Sequence, residues 1–140
     1  MTLDQIQGKV DVVTRNLEWL AGIPHSSYEE FVGDYRNVQT ALHLLQTAIQ
    51  ALIDIASYLI ARLGLRSPAT STEILDVLHE AGKIRAEERV RFRPMFAFRN
   101  RVVHLYDRID DRTVYEILVG GLEDLRSLLG ILLRLRESAG

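Results

Sequence analysis

Apolar residues recur along this chain at helical spacing. Leu3, Ile6, Val10, Val13, Leu17 and Leu20 step by three or four, which puts them on one stripe of an amphipathic helix. Thr2 and Gln5 form a capping-box signature at its start, and Gly22 with Pro24 ends it. Ser26 and Glu29 repeat that signature. A second stripe then runs from Phe31 through Val38, Leu45, Leu52 and Leu59 to Leu63, just before Gly64. It predicts a single helix of about 35 residues, roughly 50 Å long. A helix of that length overhangs a compact domain of 140 residues, and points to an elongated bundle, a second subunit or both.

Gly64 to Ala69 reads as a loop, with Pro68 barring helix. Thr70 and Glu73 cap a short helix carrying Ile74, Leu75 and Leu78, which Gly82 ends. From Ala86 another helical pattern carries Val90, Met95, Phe96, Phe98, Val102, Val103 and Leu105. Pro94 falls inside it and either kinks that helix or marks its first turn. Asp107 to Asp111 break the pattern, and Asp111 caps a last helix whose stripe extends from Val114 to Leu132. Gly120 and Gly121, inside that stripe, read as a close helix–helix contact. No sustained alternation bounded by hairpin turns occurs, so no strand is expected. The pattern predicts an all-α fold: a helical bundle of four long helices plus one short helix. The length suits a single domain over residues 1–140.

Composition adds exclusions. The chain has no cysteine, which removes disulfides and thiolate metal sites. Its first residues, Thr2-Leu3-Asp4-Gln5, form no signal peptide, and no run of uncharged apolar residues is long enough to predict a membrane span. A cytoplasmic protein without membrane contact is expected. Net charge is -2, but it is unevenly spread. Lys83 to Arg112 holds nine basic and five acidic residues, against eight and fourteen in the rest of the chain. That third is a candidate surface for a polyanion, or a solvated helix face.

The chain has no glycine-rich phosphate loop after a strand, no His-Glu-x-x-His and no Gly-x-Ser-x-Gly elbow. His25, His43 and His79 stand alone and suit surface or packing roles. His104 has neighbours. On a helix Asn100 lies one turn before it, Arg101 on the adjoining edge, and Arg99 within reach of a long side chain. Tyr106 and Arg108 follow as the helix ends. An imidazole moves protons near neutral pH. A guanidinium grips a phosphate and offsets charge on a pentavalent intermediate. The amide of Asn100 can hold either the imidazole or the phosphate. RNA brings its own 2′-hydroxyl nucleophile, so this set suits phosphodiester cleavage without a metal. The same residues also suit a non-enzymatic binding module, or a helix end finished with polar groups.

Arg99-Asn100-x-x-x-His104-x-Tyr106 resembles the R-N-x-x-x-H-x-Y signature of HepT-type toxins in the HEPN superfamily. The long helix with Gln39, the run Ala48-Ile49-Gln50-Ala51-Leu52-Ile53-Asp54-Ile55-Ala56, Phe98, and Val114-Tyr115 are similar too. The resemblance covers essentially the whole chain and implies a HEPN-like helical domain. It implies the toxin of a type VII-like toxin–antitoxin system: a metal-independent endoribonuclease, with Arg99, Asn100 and His104 catalytic and facing a second copy across a homodimer cleft. Arg101 and Arg108 become RNA contacts. The implied partner is an MntA-type nucleotidyltransferase antitoxin that attaches AMP to Tyr106. ATP then serves only that partner, and the chain itself needs no cofactor. The alternative is a non-catalytic helical module that docks the nucleotidyltransferase or a nucleotide.

Overall fold

The computed structural model describes residues 2–104 and 109–139, and all regular structure among them is helical. In chain order the helices are α1 (Leu3–Ala21), α2 (Tyr28–Val32), α3 (Tyr35–Arg62), α4 (Glu73–Glu80), α5 (Ala86–His104), α6 (Asp111–Gly120) and α7 (Leu122–Ala139). The all-α bundle stands as expected, with two of the anticipated long helices each divided in two. The longest helix, α3, sits at the centre and packs against every other helix. It is long and apolar enough to cross a membrane by length and composition, yet most of its apolar residues are covered by the bundle. One continuous core joins Ile6 and Val13 of α1, Leu45 and Leu52 of α3, Phe92 and Phe96 of α5, and Leu128 and Leu132 of α7.

The capping box of α1 forms as read: Thr2 Oγ1 accepts from the Gln5 amide, and Gln5 Oε1 accepts from the Thr2 amide. Asn16 is the one buried polar residue of the described core. Its Nδ2 donates to the Leu44 carbonyl at 3.0 Å and to Thr47 Oγ1 at 2.6 Å, which ties α1 to α3. A buried amide satisfied in this way fixes the register of two otherwise greasy stripes.

The single helix expected from Phe31 to Leu63 is interrupted at Gly33-Asp34. Gly33 closes α2, and Asp34 adopts an extended conformation to cap α3, its carboxylate accepting from the Arg36 amide at 2.9 Å. Bonding to Arg36, through side chain and backbone, lowers the Asp34 carboxyl to about 2. The apolar stripe crosses the break because Phe31 and Val38, one on each side, both face the core. Helix α3 has 28 residues, about 42 Å, so the overhang is smaller than the sequence predicted. Ser27, not Ser26, caps α2, with Oγ accepting from the Glu30 amide.

Pro94 lies in the interior of α5, which settles the choice left by the sequence: it is not a first-turn residue. A proline frees the carbonyl four residues earlier. That residue is Val90, and both are exposed, so solvent is at hand for the freed carbonyl. The expected last helix is also divided. Asp110, rather than Asp111, caps α6 through a 2.8 Å bond from the Thr113 amide, and Gly121 separates α6 from α7. A Cβ on Gly121 would stand 2.7 Å from the Ile117 carbonyl oxygen, whereas one on Gly120 would meet nothing. The paired glycines therefore serve the chain's own turn and not a helix–helix contact.

Candidate active site

The last turns of α5 carry the motif. Phe98 and Val102 lie one turn apart and are buried, which orients this end of the helix. Arg99 and Asn100 flank that buried edge and are half-buried, while Arg101 is exposed. The loop before α4 reaches this end of α5. Ser71 Oγ donates to Asn100 Oδ1 at 3.1 Å, and Asn100 Nδ2 donates to Thr72 Oγ1 at 3.2 Å. Asn100 Oδ1 also accepts from Arg99 Nη1 at 3.4 Å. The amide is thus committed to the loop on one side and to the guanidinium on the other. Arg99 Nε is buried with no acceptor among the described residues.

His104 is the final residue of α5, one turn after Asn100. Its side chain lies outside the described residues, as do Tyr106 and Arg108. The structure therefore brings together Arg99 and Asn100 and places the His104 backbone on the same helix end. Ser71 and Thr72 were missed by the sequence reading. The signal was present as a polar run, Thr70-Ser71-Thr72, but it was absorbed into helix capping. Thr70 does fill that role, accepting from the Glu73 amide.

The basic third of the chain resolves into two parts. Along the first half of α5 each arginine is neutralised: Arg89 and Arg93 pair with Asp76, and Arg91 with Glu87 and Asp124. Arg85 pairs with Glu87 and Glu88. Burial pushes the Asp124 carboxyl up, and Arg91 only partly offsets this. Arg99, Arg101 and Arg112 form no salt bridge with any described residue. Three arginines without a salt bridge to a described residue therefore stand where α5 ends and α6 begins. Asp110 belongs to the same region: its bonds from Thr113 lower its carboxyl, and the charges of Arg101 and Arg112 lower it further.

The other histidines behave as packing or surface groups. His25 contacts the Ile23 carbonyl through Nδ1, His79 Nδ1 lies 3.3 Å from the Ile84 carbonyl, and His43 is exposed. Among the described residues no three His, Asp or Glu side chains are grouped to hold a metal ion.

Residues 13–130, which contain the whole of this site, match the family described as ribonuclease HepT-like. The chain belongs to the HepT-like family. It is 25% identical over 136 residues to a protein named tRNA nuclease HepT from Aphanizomenon flos-aquae (strain 2012/KM1/D3), covering 94% of this chain and 92% of the relative. Solved structures share the fold. One is a tri-AMPylated Shewanella oneidensis HEPN toxin in complex with MNT antitoxin, with TM-score 0.82, 22% identity, and coverage of 96% of this chain and 99% of that one. Another is a toxin–antitoxin structure with AMP-PNP, with TM-score 0.80, 21% identity, and coverage of 94% and 99%. The Bacillus subtilis cytosolic protein YutE also matches, with TM-score 0.78, 15% identity, and coverage of 96% and 90%.

Proposed function

We propose that this HepT-like protein is the toxin of a toxin–antitoxin pair and acts as a metal-independent endoribonuclease. The observation that carries the reading is the contact of Arg99 with Asn100, itself bonded to Ser71 and Thr72, one turn before His104. A half-buried guanidinium beside Asn100 and without a carboxylate partner among the described residues is available to a phosphate. The family and the relative named a tRNA nuclease support RNA as the substrate.

In this reading the 2′-hydroxyl of RNA attacks the adjacent phosphorus. The 2′-oxygen–phosphorus bond forms, the bond to the 5′-oxygen breaks, and a 2′,3′-cyclic phosphate and a 5′-hydroxyl result. His104 moves the proton as general acid or base. Arg99 offsets the charge on the pentavalent phosphorus. Asn100 orients Arg99, and Arg101 and Arg108 contact flanking phosphates. Two copies face each other across the cleft, a symmetric arrangement in which each contributes the same residues. The partner is a nucleotidyltransferase antitoxin that uses ATP to attach AMP to Tyr106, two residues from His104. Added phosphate charge and adenine bulk there repel and block the RNA backbone.

Expression of the chain alone should arrest growth, and His104→Ala or Arg99→Ala should each relieve the arrest. Full toxicity of both variants would remove the catalytic reading. Native mass spectrometry after co-expression with the cognate nucleotidyltransferase tests assembly and control. It should show a dimer of the 15.9 kDa chain carrying AMP, with none added to Tyr106→Phe. A monomer would remove the shared cleft, and AMP on the phenylalanine variant would remove Tyr106 as the target.

A further inference from the structure

Arg112 breaks a local rule. It sits in the first turn of α6, where the helix macrodipole disfavours a cation, and it forms no salt bridge with any described residue. It lies on an aromatic ring, its guanidinium carbon 4.0 Å from the centroid of Tyr28, and its charge is felt by the Asp110 carboxylate two residues earlier. Tyr28 is in turn braced edge-on by Tyr115, with centroids 5.5 Å apart and planes at 80°, and Tyr115 rests on the buried Phe31. Arg112 is exposed, so one side of its guanidinium is supported by the ring and the other is open to solvent. The pair stands at the same end of the bundle as the motif. Asp110, two residues before Arg112, feels the charge of Arg101 from the last turn of α5.

We infer that Tyr28 and Arg112 form a stacking platform for a nucleobase of single-stranded RNA beside the phosphate handled by Arg99. The inference rests on the ribonuclease reading and adds a base subsite to it. A guanidinium plane laid on an aromatic ring is a rigid surface for a base, and its N–H edge remains free for the neighbouring phosphate. Such stacking tolerates any base, because every base offers a π face. The platform therefore selects unpaired RNA over duplex and adds little sequence preference.

Fluorescence anisotropy with a short, labelled, single-stranded RNA tests this, using the His104→Ala protein so that the RNA stays intact. In that background Arg112→Ala and Arg112→Lys should each weaken binding on the order of tenfold, since lysine keeps the charge and loses the plane. Tyr28→Leu, which removes the ring under the guanidinium, should weaken binding as well. Unchanged affinity in Arg112→Ala, or full affinity in Arg112→Lys, would overturn the platform. Cleavage by the protein with His104 intact is followed separately. Binding that depends on Arg112 without any cleavage would sink the ribonuclease reading and leave the platform standing. Cleavage with binding indifferent to Arg112 would do the reverse.

Discussion

At the scale of single residues, the site is defined by which polar groups are already engaged. Asn100 spends its amide on Ser71, Thr72 and Arg99, so its part in the proposed chemistry is to aim the guanidinium. Thr72 occupies the N-cap position of α4 but makes no side-chain capping bond, so its hydroxyl is free to serve Asn100. Replacing both loop hydroxyls, Ser71→Ala with Thr72→Val, should lower the cleavage rate on the order of tenfold through loss of alignment. KM and the thermal midpoint should stay near the parent values. A fall in thermal stability with no change in kcat would show instead that the two hydroxyls only brace the loop. Arg99, Asn100 and His104 could be proposed from the sequence because they share one short stretch of helix and match a known family signature. Ser71, Thr72 and Arg112 could not be, because their partners lie on other elements and no local spacing announces them.

Helices follow their stripes closely, and their interruptions less so. The capping box at Thr2, the stop before Pro24 and the short helix beginning at Glu73 were all visible in residue pattern. The breaks at Gly33-Asp34 and at Gly121 were hidden for a common reason. The apolar stripe resumes in phase after each break, since Phe31 and Val38, and Leu118 and Leu122, are all buried. Periodicity reports which face is covered and is blind to a one- or two-residue pause between segments. The two glycines at the second break separate these causes. Gly121→Ala would press a methyl group against the Ile117 carbonyl and should destabilise the fold by about 1 kcal/mol or more. Gly120→Ala, at an open helical position, should be neutral or stabilising by up to about 1 kcal/mol. Urea denaturation of both variants reads the signs directly. Equal destabilisation would restore the close helix–helix contact that the sequence first pointed to.

Across the whole molecule, charge and architecture converge on one end of the bundle. Acidic partners from α4, α5 and α7 neutralise the arginines of the first half of α5, whereas Arg99 and Arg101 near its C-terminus form no salt bridge with any described residue, and Asp110 is near enough only to feel the charge of Arg101. A chain of net charge -2 can thus present a local positive field without being basic overall. The same end receives the loop with Ser71 and Thr72, the start of α6, and the Tyr28–Arg112 pair. Membership of the HepT-like family agrees with this concentration of groups, and the reaction itself is the claim that most needs measurement. The direct test is cleavage of a defined RNA by the purified protein in the presence of a metal chelator, followed by gel. The account predicts discrete products with 5′-hydroxyl ends from the parent protein, and a rate at least about a hundredfold lower for His104→Ala and for Arg99→Ala. Intact RNA with the parent protein, or equal cleavage by all three proteins, would contradict it.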